Sequence, residues 1–201
     1  MRTPTGQQSA PGNITSRAAD VPAVVRTTDT APLLARGATG HWDLDAAVSS
    51  VRFTTGLLGG LVPVRGGFRD VDGHVEIGAN GDVTGGMAAL AVSVDTHNAR
   101  RDRHLRSAAF FDVENSPRIE FAVDGIQPSH RGVAVTGMLT VRDISREFTV
   151  EMSGSLLGEA EVCLDGVVTL DRREIGITWN ALGMASAVVT VAVHAVFRRR
   201  E

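Results

Sequence analysis

The chain has no lysine, no tyrosine and a single cysteine, and aromatic side chains make up only 4% of its 201 residues. Each shortage excludes something. All 20 basic residues are arginine, which reads as compositional bias, so arginine clusters carry little functional weight here. With a formal net charge of −3, nothing globally basic points to nucleic acid or to an anionic membrane surface. The lone Cys163 cannot form an intramolecular disulfide, and no nucleophile signature surrounds it; it reads as a small, half-buried strand residue. No run approaches the roughly 18 apolar residues of a membrane helix. No apolar stretch follows Arg2, so the expectation is a cytoplasmic protein without a secretory signal or membrane insertion.

The texture changes once along the chain. Residues 1–38 are rich in Thr, Ala, Ser, Gly and Pro and show no period, so a disordered extension is expected, with only Val21–Val25 as a weak docking candidate. From residue 39 to 201 short alternating runs follow one another, as half-buried antiparallel strands do. Ala88, Leu90, Val92 and Val94 alternate with polar or small residues. So do Ile119, Phe121 and Val123; Val133 to Val141; Phe148, Val150 and Met152; and Val162 to Leu170. Val188 to Phe197 is apolar on both faces. Further strands are read at Trp42–Asp45, Val51–Thr55, Val64–Asp70 and His74–Gly78, with turns at Asn80-Gly81, Asp72-Gly73 and Arg142-Asp143. One stretch lacks alternation. Asn98 can cap a helix there, Asp102 and Arg106 stand at i and i+4 as an ion pair, and Leu105, Ala108 and Phe111 would share a face. About eight or nine strands and one short helix, without a βαβ rhythm, give an all-β sandwich or barrel.

Eight strands make a barrel that side chains can just fill or that can hold one small ligand. The expected inward residues are mostly Val, Ala, Leu and Gly, which favours an apolar lumen that accepts an apolar guest. Solid packing of the same residues remains the competing reading. Polar clusters offer little chemistry. Of Asp102, His104 and Ser107, the first two stand two apart and do not face each other on a helix, and His97, His104, His74, Asp95 and Asp112 match no metal-ligand spacing. No catalytic residue, metal or cofactor is therefore assigned. The glycines at 56, 59, 60, 66 and 67 read as bulges or a barrel corner rather than a phosphate loop.

Several segments, in order, carry a resemblance. They are Trp42-Asp-Leu-Asp45 with Ser50-Val-Arg-Phe53, and Val64-Arg-Gly-Gly-Phe68. Arg101 to Ser107 follows, with Phe110-Phe-Asp112 and Pro117 to Phe121. Gly137 to Val141 with Arg146 to Val150, and Asp171 to Trp179, complete the set. Together they resemble the YceI-like, polyisoprenoid-binding family over residues 41–198. The resemblance implies a lipocalin-like antiparallel barrel with an elongated apolar tunnel for a long isoprenoid chain, such as a polyprenyl or quinone tail. It also implies that homodimers occur. Histidines usual in the family are missing near Val48 and at Gly56, which puts any head-group contact they make in doubt.

The resulting expectation is a carrier or sequestering protein for an isoprenoid lipid, not an enzyme. Its lumen wall would include Phe53, Leu90, Val92, Val94, Phe121, Val135, Leu139, Phe148 and Val150. Asp102, Leu105, Arg106, Phe110 and Phe111 would form a structural brace. Two rivals remain: a small enzyme acting on a lipophilic substrate through His104 or Asp102, and a protein-interaction module whose ligand function is lost. The second would show a solid core and an apolar patch on Val188–Phe197, a strand that would serve equally as a dimer interface.

Overall fold

The computed structural model describes residues 39–58, 61–156, 160–180 and 185–200. The expected disordered extension and the Val21–Val25 candidate lie outside them. Among the described residues there are eleven strand segments: β1 (Gly40–Leu44), β2 (Ser50–Leu57), β3 (Val62–Phe68), β4 (Val71–Ile77), β5 (Val83–Leu90), β6 (Val94–Asp95), β7 (Arg118–Ser129), β8 (Gly132–Val141), β9 (Ile144–Leu156), β10 (Glu161–Asp171) and β11 (Ala185–Arg199). They amount to eight barrel strands, because β1 with β2, β3 with β4, and β5 with β6 are each one strand broken midway. Every strand pairs antiparallel with the next, and β11 pairs with both β1 and β2 to close the ring. The fold is a closed eight-stranded antiparallel barrel.

The break in the first strand is built from short polar side chains. Asp45 N donates to Val196 O at 2.8 Å, and Val196 N donates to Ser49 Oγ at 3.0 Å. The turn at 45–49 thus satisfies the backbone of β11 where neither β1 nor β2 can reach it.

Period-two alternation decides which residues face in. Phe121 pairs with Leu139, Gly137 with Phe148, Val135 with Val150, and Phe53 with Val191. On β5 the pairing is Met87 with Phe121 and Ala89 with Ile119. The inward face of β5 is therefore Met87 and Ala89, and Leu90 lies on the other face, opposite Arg118. This corrects the expected wall at Leu90, Val92 and Val94. The strand stops at Leu90, and a 3-10 turn covers Ala91–Ser93. Val92 is exposed there, whereas Val94 is fully buried opposite Phe68.

The predicted turn at Asp72-Gly73 also fails. Both residues sit inside β4, where a Cβ on Gly73 would lie 2.6 Å from Gly86 O. The glycine serves a close backbone approach, not a change of direction. Asn80-Gly81 does turn the chain, with Gly81 at φ +88°, and Arg142 turns the β8–β9 connection at φ +58°.

Among the described residues there is one α-helix, α1 (Ala99–Arg106). Asn98 caps it by accepting from Arg101 N at 3.0 Å. The helix ends at Arg106, so Ala108 and Phe111 are not on it; Phe111 N instead donates back to Leu105 O. The expected Asp102–Arg106 ion pair is replaced by two separate anchors. Asp102, buried, accepts from Thr96 N at 3.0 Å and Thr96 Oγ1 at 2.5 Å. Arg106 donates from Nε to Val92 O and from Nη2 to Val94 O. Backbone groups freed by the broken strand attract these side chains more strongly than they attract each other. Asp102→Ala leaves the buried Thr96 donors without an acceptor, and a loss of about 2–4 kcal/mol is expected in urea unfolding. Asp102→Asn, which keeps one acceptor oxygen, should lose less.

A carbon-lined lumen closed at one end

The barrel interior has three packed clusters. At one end Trp42, Ala195 and Phe197 are buried against Leu44, Val75 and Ile77, and they plug the barrel. In the wall beyond, Val133, Val135 and Met152 pack with Phe121 and Val150. At the far end Val141, Leu170, Ile175 and Ile177 gather Phe110, Phe111, Ile119 and Leu139.

Space remains between these clusters. A cavity of about 240 Å³ lies at the far end, against α1 and the 172–179 segment. A second, of about 130 Å³, lies deeper towards Phe121, Phe148 and Met152. Val51, Phe68, Ile119, Leu139 and Leu170 line both, so the two are successive chambers along one lumen. Their surfaces are almost entirely carbon. An apolar cavity of about 150 Å³ already stays dry and takes up a benzene-sized guest.

Six of the nine expected wall residues lie on these chambers: Phe53 on the outer one, Phe121, Val135, Phe148 and Val150 on the inner one, and Leu139 on both. Leu90, Val92 and Val94 do not. Of the expected brace, Leu105, Phe110 and Phe111 line the outer chamber, whereas Asp102 and Arg106 hold the broken strand behind it. Sequence reasoning gave no site role to Val51, Val64, Phe68, Val189 or Val191. They lie in segments read as strands, but which face turned inward was not legible; Val189 and Val191 sit in a run apolar on both faces.

It also missed four residues with polar side chains that border the outer chamber: Arg101, Arg172, Ser186 and Trp179. Arg101 donates to Thr96 Oγ1 and Thr96 O. Arg172 is buried and holds three carbonyls, donating from Nε to Ser186 O and from Nη1 to Ile177 O and Trp179 O. Burial pushes its pKa below the usual guanidinium range, partly countered by the neighbouring Asp171 carboxylate. Asp171 itself is held at about 2, chiefly by hydrogen bonds from the Arg173 side chain and backbone N–H.

His104 is the unusual member. Its ring packs against Trp179 at 4.1 Å and Phe110 at 5.5 Å between centroids, and its buried Nε2 has no hydrogen-bond partner in the protein. The other members of the sequence-level histidine and carboxylate set do not join it in a metal-ligating group.

The chain matches the model of the YceI-like domain over residues 42–197. It belongs to the YceI-like family. A UPF0312 protein of Ectopseudomonas mendocina is 31% identical over 134 residues, covering 62% of this chain and 69% of that protein. A UPF0312 protein of Serratia proteamaculans is 37% identical over 67 residues, covering 33% of this chain and 34% of its own. The chain spans between about a third and a half of the length of the first such curated relatives. Among solved structures, BcnA of Burkholderia cenocepacia superposes with a TM-score of 0.68 at 22% identity, covering 77% of this chain and 99% of that one. A polyisoprenoid binding domain from Saccharophagus degradans superposes at 0.67 with 15% identity, covering 79% and 98%. At these identities the two structures support the YceI-like barrel fold and nothing finer.

Replacing His104 with Phe keeps the ring contacts and removes the orphaned nitrogen. Thermal unfolding of the lipid-free His104→Phe protein should match the parent or exceed it, with a change within about 1 kcal/mol. A loss of several kcal/mol would show that Nε2 has a structural partner.

Proposed function

We propose that this protein binds a long isoprenoid-type lipid in the barrel lumen, as a carrier or sequestering protein rather than an enzyme. The observation that carries this reading is the pair of carbon-lined chambers in series, plugged at the Trp42 end. Family membership supports it, as does the likeness to a barrel described as polyisoprenoid-binding.

The physics favours a chain-like guest. Each 100 Å² of apolar guest surface removed from water contributes roughly 2.5 kcal/mol, offset by the cost of ordering the chain. A narrow lumen walled by Val, Leu, Ile and Phe offers this to a slender branched hydrocarbon. The guest's polar end belongs at the outer chamber, where Arg101, His104, Arg172 and Ser186 gather. That placement does not need the family histidines missing near Val48 and at Gly56. For the enzymatic alternative, the Asp102 carboxylate is already engaged by Thr96, which leaves His104 as its candidate group.

Native mass spectrometry with lipid extraction, on protein purified from its own host, tests the reading. A stoichiometric polyprenyl or quinone adduct is expected. A bare mass that takes up no added isoprenoid would sink the proposal. Leu139 borders both chambers, so Leu139→Trp should reduce uptake about tenfold or more. That is about 1.4 kcal/mol, the burial of roughly 50–60 Å² of guest surface.

A further inference from the structure

The inner faces of β10 and β11 belong to the lumen. Their outer faces carry a different cluster. Asp165 and His194 are direct cross-strand partners, and His194 Nδ1 lies 2.7 Å from Asp165 Oδ1. Cys163 stands two residues before Asp165 on β10. Its Sγ is 3.7 Å from Asp165 Oδ2 and 3.9 Å from His194 Nδ1. One donor atom from each residue lies within 4.8 Å of the others, and among the described residues no other group of three His, Cys, Asp or Glu does this.

Two simpler readings leave something over. An imidazole–carboxylate ion pair accounts for the 2.7 Å contact and a thiol hydrogen bond to Oδ2 for the 3.7 Å one, but neither accounts for the Sγ–Nδ1 approach at 3.9 Å. A nucleophile–base–orienter triad requires the base to use one ring nitrogen for the nucleophile and the other for the carboxylate. Here sulfur and carboxylate both address Nδ1. Convergence of S, N and O donors on one point is the pattern of metal ligation.

We propose that Cys163 Sγ, the Asp165 carboxylate and His194 Nδ1 form a three-ligand site for a zinc-class divalent ion on the outer wall of the barrel. A tetrahedral zinc ion with bonds of about 2.0–2.3 Å sets its ligand atoms roughly 3.3–3.6 Å apart. The Sγ–Oδ2 and Sγ–Nδ1 distances are within a few tenths of an ångström of that; the imidazole–carboxylate contact, made through the other oxygen, Oδ1, has to open, and one carboxylate oxygen has to turn to the ion. Thiolate and carboxylate together neutralise a divalent charge. The soft sulfur and single carboxylate select zinc-class ions over magnesium or calcium, which take oxygen ligands. The frame is stiff, since β10 and β11 pair without interruption from Glu161 to Asp171.

Three protein ligands leave a fourth position open. An outer groove bordered by Asp165 and His194 opens beside the site, lined also by Ser50, Arg52, Arg131, Glu151 and Ser153. It has room for water, and Arg52 and Arg131 favour hydroxide or a small anion as the fourth ligand. The inner lumen is separate, so the site stands or falls independently of lipid binding.

The full chain, stripped with a chelator and kept reduced, is titrated with Zn²⁺ by calorimetry and with Co²⁺ by absorption. One equivalent of each is expected, with a thiolate-to-cobalt charge-transfer band. Cys163→Ser should abolish that band. His194→Gln and Asp165→Asn should each weaken Zn²⁺ binding by about tenfold or more, at least the loss typical of removing a ligand's supporting contact. Far-UV circular dichroism and thermal melting establish that the variants fold. If Cys163→Ser does not fold, the half-exposed His194→Gln decides alone. The proposal is overturned if no charge-transfer band appears, or if folded variants bind Zn²⁺ as the parent does, which would place the ion on other histidines of the chain.

Discussion

Everything in this barrel depends on β11 meeting two partners along one edge. Of its fifteen residues, Val188 to Arg198 pair with β10 on one side. On the other side, β2 takes Ala185 to His194 and β1 takes Phe197 to Arg199. An open sheet of these strands would leave two rows of unpaired backbone groups. Closure removes both rows, and it works only because the Asp45–Ser49 turn satisfies Val196 between the two partners. The inward residues of β11 reach all three clusters: Val189 and Val191 the far one, Val193 the two nearer the plug, Ala195 and Phe197 the plug itself. Ring closure and core formation are therefore one event, and the lumen is what the ring encloses but does not fill.

The unfilled space has a specific origin. Inward glycines do not by themselves leave holes, because large neighbours use them. A Cβ on Gly66 would lie 2.7 Å from the Phe53 ring, and one on Gly137 would lie 2.8 Å from the Phe121 ring. The rings of Phe53 and Phe121 thus occupy space that a side chain at Gly66 or Gly137 would take. With no tyrosine and few other aromatics, Val, Leu and Ile walls stop short of the barrel axis. At the Trp42 end the indole is buried among Ala195, Phe197, Leu44, Val75 and Ile77.

Much of this was legible in the sequence. From Arg118 onward the alternation gives strands β7 to β10 and their inward faces, because each runs ten residues or more with one face buried. The cap at Asn98 was legible for the same local reason. What misled is non-local. Leu90 to Val94 continues an alternating pattern, yet its backbone leaves the ladder and the Arg106 side chain of α1 takes up its Val92 and Val94 carbonyls. Gly73 looks like a turn residue and is instead where two strand backbones approach. The polar end of the lumen was harder still. Arg172, Trp179 and Ser186 lie in segments with no period, and only the resemblance over Asp171–Trp179 marked that stretch at all.

The same alternation that makes a lumen makes an outer surface, and here the two are tied. On β10, Leu164 and Gly166 turn inward while Cys163 and Asp165 turn out; on β11, Val193 turns inward while His194 turns out. A one-residue slip of either strand would exchange these sets and drive a carboxylate or an imidazole into a carbon-lined cavity. Burying such a charge without a matched partner costs several kcal/mol, far more than most apolar packing differences. Register is thus enforced from both sides of the wall. The outer contact also sits beside Gly166, where a Cβ would press on Met152 at 3.0 Å and where the wall has no inward side chain of its own. Pinning β10 to β11 at that level holds the inner chamber's width where side-chain packing contributes least.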